Sequence, residues 1–98
     1  LLELTVESIA QALAISPPAT VRICGGGADN TFLMARLSTR LSPATVTTTE
    51  AVGIPPSWVE AAAFAWLAAQ TLTENPGNVP AVTGATAERV LGGIYSGR

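Results

Sequence analysis

The residues best suited to bind a ligand are three consecutive glycines, Gly25, Gly26 and Gly27, between a β-branched segment and a helical one. Glycine has no Cβ, so the backbone here can come within contact distance of a flat or anionic ligand. The helix that follows offers free N–H groups and the positive end of its dipole, which favour a phosphate. The structural alternative is a tight turn that needs positive φ, for which one glycine suffices. The pattern therefore favours nucleotide or phosphate binding.

Two kinds of nucleotide site fit these glycines. In a Rossmann-type dinucleotide site, Gly25 and Gly27 would be the first two fingerprint glycines, and Glu50 would be the ribose-binding acid. Against this assignment, Asn30 occupies the third glycine position and a helix precedes the expected first strand. The second candidate is the adenosine loop of sugar kinases, actin and heat-shock ATPases, where a strand enters a Gly-Gly-Gly turn and a helix follows.

The composition excludes several other kinds of site. The 98 residues include no His, no Lys and one Cys, and five Arg against seven acids give a net charge of −2. Without His, this chain holds no Ser-His-Asp or Cys-His catalytic group. The single Cys24, which cannot form an internal disulfide or a four-ligand zinc site, is expected to be a small buried residue at a strand end. The cations are too scattered for a nucleic-acid surface and are expected to be solvated: Arg22, Arg36, Arg40 and Arg89.

Five elements in the order α-β-α-β-α are expected to position the glycine turn. Apolar spacing, β-branched runs and proline stops predict helices over 3–15 and 57–73, strands over 20–24 and 44–49, and a helix between them that ends at Ser42-Pro43. Asp29 or Asn30 would cap that middle helix. Residues 75–78 are predicted to form a turn, within a tail from Glu74 that is predicted to be irregular. Two strands joined through a helix predict a right-handed parallel pair.

The third helix and the low charge both suggest that the chain needs further protein around it. Residues 61–69 leave the helix almost without a polar face, so we expect it to be buried, with Trp58, Phe64 and Trp66 packed in a core. Charged residues make up 12% of the chain, against about 25% in an average domain. Two strands alone also leave sheet edges unpaired. More strands are expected from a larger protein or, if the chain is instead a non-catalytic self-associating domain, from a partner chain in a homo-oligomer.

No segment is predicted to cross or enter a membrane. The most apolar stretch, 58–72, contains Glu60 and Gln70 and is shorter than the roughly 20 apolar residues that a spanning helix needs. The first ten residues carry two acids and no basic residue, unlike a signal peptide. A cytoplasmic location is therefore expected.

Several longer motifs point to one family. They are CGGGADN at 24–30, MARL at 34–37, GIPPSWVEAAAFAWLAAQTL at 53–72, NPGNVPAVTGA at 75–85 and VLGGIY at 90–95. In this order they resemble the C-terminal end of anhydro-N-acetylmuramic acid kinases, over essentially the whole chain. The segments at 53–72 and 75–85 are much more specific than the glycine turn.

The resemblance implies an α/β fold in which residues 1–98 form a single partial domain. This would be the last α-β-α-β-α of an actin-like (ribonuclease H-like) ATPase domain, with an irregular C-terminal tail. It also implies an ATP- and Mg-dependent kinase that opens the 1,6-anhydro bond with water and phosphorylates the 6-oxygen, giving N-acetylmuramic acid 6-phosphate in peptidoglycan recycling. The catalytic Asp and the phosphate-binding motif of the family would lie elsewhere, so the chain alone is expected to be inactive.

The resemblance also suggests roles for individual residues. Gly25, Gly26 and Gly27 would lie against the adenosine part of ATP, and Asn30 would be close to the nucleotide. Asp29 stands where the family usually has His, and its charge disfavours a phosphate contact. Glu60 would face the amino-sugar substrate. A capping box, Ser57-x-x-Glu60, is the structural alternative for Glu60, and both interpretations stay open at this point.

Overall fold

The computed structural model describes residues 1–97, and its elements begin in the predicted order. They are α1 (Leu2–Ala14), β1 (Thr20–Ile23), α2 (Thr31–Arg40), β2 (Thr45–Thr48), α3 (Val59–Leu72) and α4 (Pro80–Thr83). Three short 3₁₀ turns occupy Gly26–Asp29, Thr49–Val52 and Pro56–Trp58. The chain forms two compact units, one up to Val59 and one from Glu60 onward.

In the first unit, β1 and β2 form the predicted parallel pair. Thr20 lies opposite Thr45 and Ile23 lies opposite Thr48, so the two strands end level with each other. The carboxyl ends of parallel strands share one edge of the sheet. Consequently the glycine turn after β1 and the Thr49–Val52 turn after β2 leave the sheet on the same side. The predicted parallel βαβ order is confirmed.

The core of the first unit lies between α1 and α2. Val6 and Leu37 are fully buried, at 0% and 1% exposure, and Ala10 is also buried. Small apolar residues at i and i+4 on α1 let the two helices approach closely. Two ion pairs connect the same helices at the surface. Arg36 Nε and Arg40 Nε each lie 2.7 Å from a carboxylate oxygen, of Glu3 and Glu7 respectively.

In the second unit, α3 does not show the predicted burial. Phe64 is 64% exposed and Trp66 is 53% exposed, and no residue of α3 falls in the buried class. The reason is that the described part of this unit consists of α3, a four-residue helix and an extended tail, which cannot surround a helix that is apolar on every side. The prediction of a buried α3 is therefore wrong for this chain.

Two further predictions are wrong for local reasons. Cys24 is exposed, because it lies one residue beyond β1, where the backbone leaves the sheet. The turn expected at 75–78 falls at 73–74 instead, where Glu74 adopts a left-handed conformation with φ 56° and Asn75 N–H donates to Gln70 C=O at 2.9 Å. This closes α3 with a Schellman-type end.

The tail is ordered around one asparagine, although it was predicted to be irregular. Asn78 Nδ2 donates to the carbonyl of Ala87 at 3.1 Å, and Asn78 Oδ1 accepts from the N–H of Arg89 at 2.6 Å. Gly77 N–H also donates to Arg89 C=O at 3.0 Å. The side-chain amide thus pairs like a backbone peptide group, and it holds 77–78 against 87–89. The tail also contains α4, which ends at Gly84 with φ 73°.

Candidate functional site

The glycine turn begins with a residue that the fold itself requires to be glycine. Gly25 leaves β1 with φ +75°, a backbone conformation that side chains with a Cβ rarely adopt. The chain then makes a 3₁₀ turn, in which Ala28 N–H donates to Gly25 C=O at 3.1 Å and Asn30 N–H donates to Gly27 C=O at 3.2 Å. At Gly25 the structural explanation is sufficient.

At Gly26 the chain gives no such reason. Its φ is not positive, and a Cβ built on it would meet nothing within 4 Å. A Cβ on Gly27 would lie 3.4 Å from Leu33 Cδ2, which is an ordinary contact. Gly26 is therefore exposed backbone where a side chain would fit and is absent. Neither a positive φ nor a crowding neighbour in the described residues therefore requires a glycine at position 26.

Asn30, not Asp29, caps α2. Asn30 Oδ1 accepts a hydrogen bond from Leu33 N–H at 3.0 Å. Both residues are exposed, and Asp29 ends the 3₁₀ turn. The cap function accounts for the oxygen of the Asn30 side chain, while its contact with a nucleotide stays a prediction.

The turn Pro56–Trp58 lies directly against the glycine turn. Gly25 N–H donates to Pro56 C=O at 2.9 Å, and the two 3₁₀ turns contact each other. Trp58, at 66% exposure, is not in the core, so its predicted packing role is also wrong. Glu50, the ribose-binding acid of the dinucleotide alternative, is exposed in the turn after β2. One sheet edge therefore gathers the glycines, an acid and an aromatic side chain.

Glu60 belongs to the second unit and lies in the first turn of α3. Ser57 lies inside the Pro56–Trp58 turn, which begins after Pro55 and has no side-chain cap hydrogen bond. The capping box predicted from Ser57 and Glu60 therefore does not form. Glu60 is exposed, and the structural explanation for it is lost.

Four charged side chains of the first unit form two ion pairs, Glu3 with Arg36 and Glu7 with Arg40. A hydrogen bond from Arg36 holds the pKa of Glu3 below its ordinary value of 4.5, and Arg40 does the same to the pKa of Glu7. These groups belong to the helix pair, not to the edge with the glycine turn. Within residues 1–97 no cluster of three His, Cys, Asp or Glu could hold a metal ion. Over the same residues, no helix has the length and apolar character needed to span a bilayer.

The fold and the turn define part of an α/β protein that presents a glycine turn at the edge of a parallel sheet. The family model for anhydro-N-acetylmuramic acid kinase matches residues 1–97. The chain therefore belongs to the anhydro-N-acetylmuramic acid kinase family, as its motifs predicted.

Curated relatives agree with this assignment. The chain is 53% identical over 97 residues to the anhydro-N-acetylmuramic acid kinase of Xylella fastidiosa and 52% identical over 95 residues to that of Hahella chejuensis. It is 50% identical over 97 residues to the kinase of Pseudomonas paraeruginosa. Each match covers 97% of this chain but only 26% or 27% of the relative. The chain thus spans about a quarter of the length of these kinases.

Proposed function

We propose that this chain is the ATP-binding C-terminal portion of a kinase of peptidoglycan recycling, which hydrolyses and phosphorylates 1,6-anhydro-N-acetylmuramic acid. The observation that carries the proposal is Gly26, whose missing side chain nothing within the chain explains. Family membership supports the class of reaction. A cytoplasmic location is part of the same proposal, since the amino sugar and ATP must meet there.

The residues of the turn suit the adenosine part of ATP better than its phosphates. Gly25 and Gly26 present open backbone, and Gly27 continues it. Asp29 and Glu50 are the charged side chains of the two turns at this edge, and both are acidic. Like charge disfavours a phosphate beside them. Residues outside this chain would then hold the phosphates and Mg²⁺, and ATP would supply the phosphoryl group.

Glu60 is proposed to bind the amino sugar. It is exposed, and the hydrogen bond that would have given it a structural role is absent. A carboxylate can accept hydrogen bonds from sugar hydroxyl and amide groups. Because Glu60 belongs to the other compact unit, its role is tested separately from that of the glycines.

A chimeric kinase tests the proposal. This chain replaces the matching 97 residues of the Xylella fastidiosa relative, and phosphorylation of 1,6-anhydro-N-acetylmuramic acid is measured. Activity of the chimera is expected. Gly26→Val should raise the KM for ATP, whereas Gly97→Val should not, because a Cβ at Gly97 also meets open space.

Glu60→Gln should lower turnover of the sugar about tenfold with an unchanged KM for ATP, the loss expected for one hydrogen bond to a charged group.

The dinucleotide alternative is distinguished by ligand choice. ATP, ADP and NAD are titrated separately into the 98-residue chain while its thermal stability is followed. A ligand that binds the folded state raises that stability. Stabilisation by NAD with no response to adenine nucleotides would favour the dinucleotide site and Glu50. The chain alone should not phosphorylate the sugar, and measured turnover would contradict that expectation.

A further inference from the structure

We propose that Trp58 is the surface on which the adenine base of the bound nucleotide stacks. The inference rests on the proposed nucleotide binding and adds to it a residue that contacts the base. Exposure alone does not single out Trp58, because Phe64 and Trp66 are also more than half exposed. Single exposed apolar residues are common on protein surfaces. The position of Trp58 relative to the glycine turn carries the argument.

Trp58 is attached to the glycine turn through the backbone. It ends the Pro56–Trp58 turn, whose Pro56 carbonyl accepts the hydrogen bond from Gly25 N–H at 2.9 Å. A single residue, Ser57, therefore separates Trp58 from the Pro56 carbonyl that meets Gly25. The open backbone of Gly25 and Gly26 and the residue Trp58 thus lie in two contacting turns of the first unit.

The backbone that carries Trp58 is preorganised. Pro55 and Pro56 each have a ring that restricts φ, and Trp58 N–H donates to Pro55 C=O at 2.9 Å. A side chain on a fixed turn loses less entropy on binding than one on a mobile loop. An exposed tryptophan on a rigid double-proline turn is therefore well suited to stack on a ligand, and it gains nothing there from packing in the core.

The charges at this edge select an uncharged, flat part of the ligand. Asp29 and Glu50 are acidic, and the segments 24–30 and 49–58 contain no Arg. A purine base carries no charge and presents two flat faces. It can lie with an edge near the glycine backbone and a face on the indole. A base stacks on an aromatic side chain through the π-face of the base. Because the base is uncharged, nearby carboxylates repel it less than they repel a phosphate.

The test uses the 98-residue chain with ATP as the probe, detected by saturation-transfer NMR and by tryptophan fluorescence. Trp58→Ala is expected to weaken ATP binding about tenfold, the usual loss for one stacked base. Trp58→Phe should keep most of the affinity, because it keeps an aromatic face. Trp66→Ala is the matched control and should leave affinity unchanged. Adenosine should compete with ATP, and inorganic triphosphate should not.

Two failures are distinguishable. If the chain binds ATP and Trp58→Ala binds it equally well, the stacking role is overturned while nucleotide binding stands. Competition by triphosphate but not by adenosine would overturn it in the same way, because the phosphates would then lie at this edge. If the unaltered chain shows no ATP signal, the proposed nucleotide binding fails and the inference fails with it. Circular dichroism confirms that each variant is folded, which an exposed side chain should permit.

Discussion

Adjacent glycines of the same turn are present for different reasons. Gly25 has a positive φ that the fold demands, whereas Gly26 has neither a strained conformation nor a crowding neighbour. The sequence predicts a ligand site from all three glycines together, and the backbone conformation of the turn shows that only Gly25 has a positive φ. In the same way, the sequence allows either Asp29 or Asn30 to cap α2, and the structure shows that the Asn30 side chain accepts the capping hydrogen bond. Burial of Cys24 and Trp58 could not be predicted, since it depends on what covers them.

The cap at Asn30 leads to a prediction about stability. Asn30→Ala removes the oxygen that accepts from Leu33 N–H, and the free energy of unfolding should fall by about 1 kcal/mol. Asn30→Asp keeps an accepting oxygen and adds a negative charge at the helix N-terminus, so it should change stability by only a few tenths of that amount. Urea unfolding of both variants measures the difference. Equal losses in the two variants would show that the side chain contributes something other than the cap.

At the scale of elements, the order of helices and strands and the parallel pairing are predictable, because they follow from periodicity and proline stops. Contacts between helices are not. Glu3 meets Arg36 and Glu7 meets Arg40, so a step of four residues on α1 matches a step of four on α2. The two helices therefore run in the same direction along this contact. Sequence analysis predicts these arginines to be solvated, and it cannot indicate partners 33 residues away.

The ion pairs predict how stability changes in acid. Hydrogen bonds from Arg36 and Arg40 lower the pKa of Glu3 and Glu7 in the folded chain below 4.5. The contribution of the two ion pairs to the free energy of unfolding is therefore complete above pH 4.5. It is lost as the pH falls through the lowered pKa values. The free energy of unfolding should decrease over that range. The double variant Glu3→Gln, Glu7→Gln should flatten this dependence in urea unfolding at a series of pH values. Glu88→Gln, outside both pairs, should preserve it.

The two hydrogen bonds of the Asn78 side chain predict a local effect in the second unit. Asn78→Asp replaces an amide donor with a carboxylate oxygen that faces the Ala87 carbonyl, and the cost of losing that hydrogen bond is about 1–3 kcal/mol. Hydrogen exchange at the Gly77 amide, which donates to Arg89 C=O, should become faster. Asn75→Asp is the matched control: it also removes an amide donor, but that amide donates to Thr73 Oγ1 at 3.0 Å and not to the 87–89 segment, so the Gly77 amide should stay protected. Unchanged exchange in Asn78→Asp would mean that the backbone alone holds the two segments together.

At the scale of the whole molecule, the chain corresponds to about a quarter of its relatives, and its exposed apolar residues are consistent with that. The low charge and the apolar third helix indicate, from the sequence, that further protein is needed to cover the apolar surface. These two features do not indicate whether the remainder of a kinase or a second copy of the chain covers it. The predicted irregular tail is only partly correct, because the pairing through Asn78 depends on residues nine and eleven positions away from it.

The exposed face of α3 predicts self-association of the isolated chain. Sedimentation should show a dimer or a larger assembly whose mass depends on concentration, since exposed apolar surface drives association. Phe64→Gln should weaken the assembly if α3 provides the contact. Val82→Gln, which removes another exposed apolar side chain, should have a smaller effect. A monomer mass that does not change with concentration would contradict the prediction.

The position of Cys24 has a practical consequence. It is the single thiol in the chain, it is exposed, and it immediately precedes the glycine turn. A maleimide dye would therefore attach at one place, with no mutation needed to remove other cysteines. The fluorophore would lie beside the glycine turn, where a ligand that bound to the turn would change the polarity around the dye. A change in the fluorescence of this dye when ATP is added would report the proposed nucleotide binding.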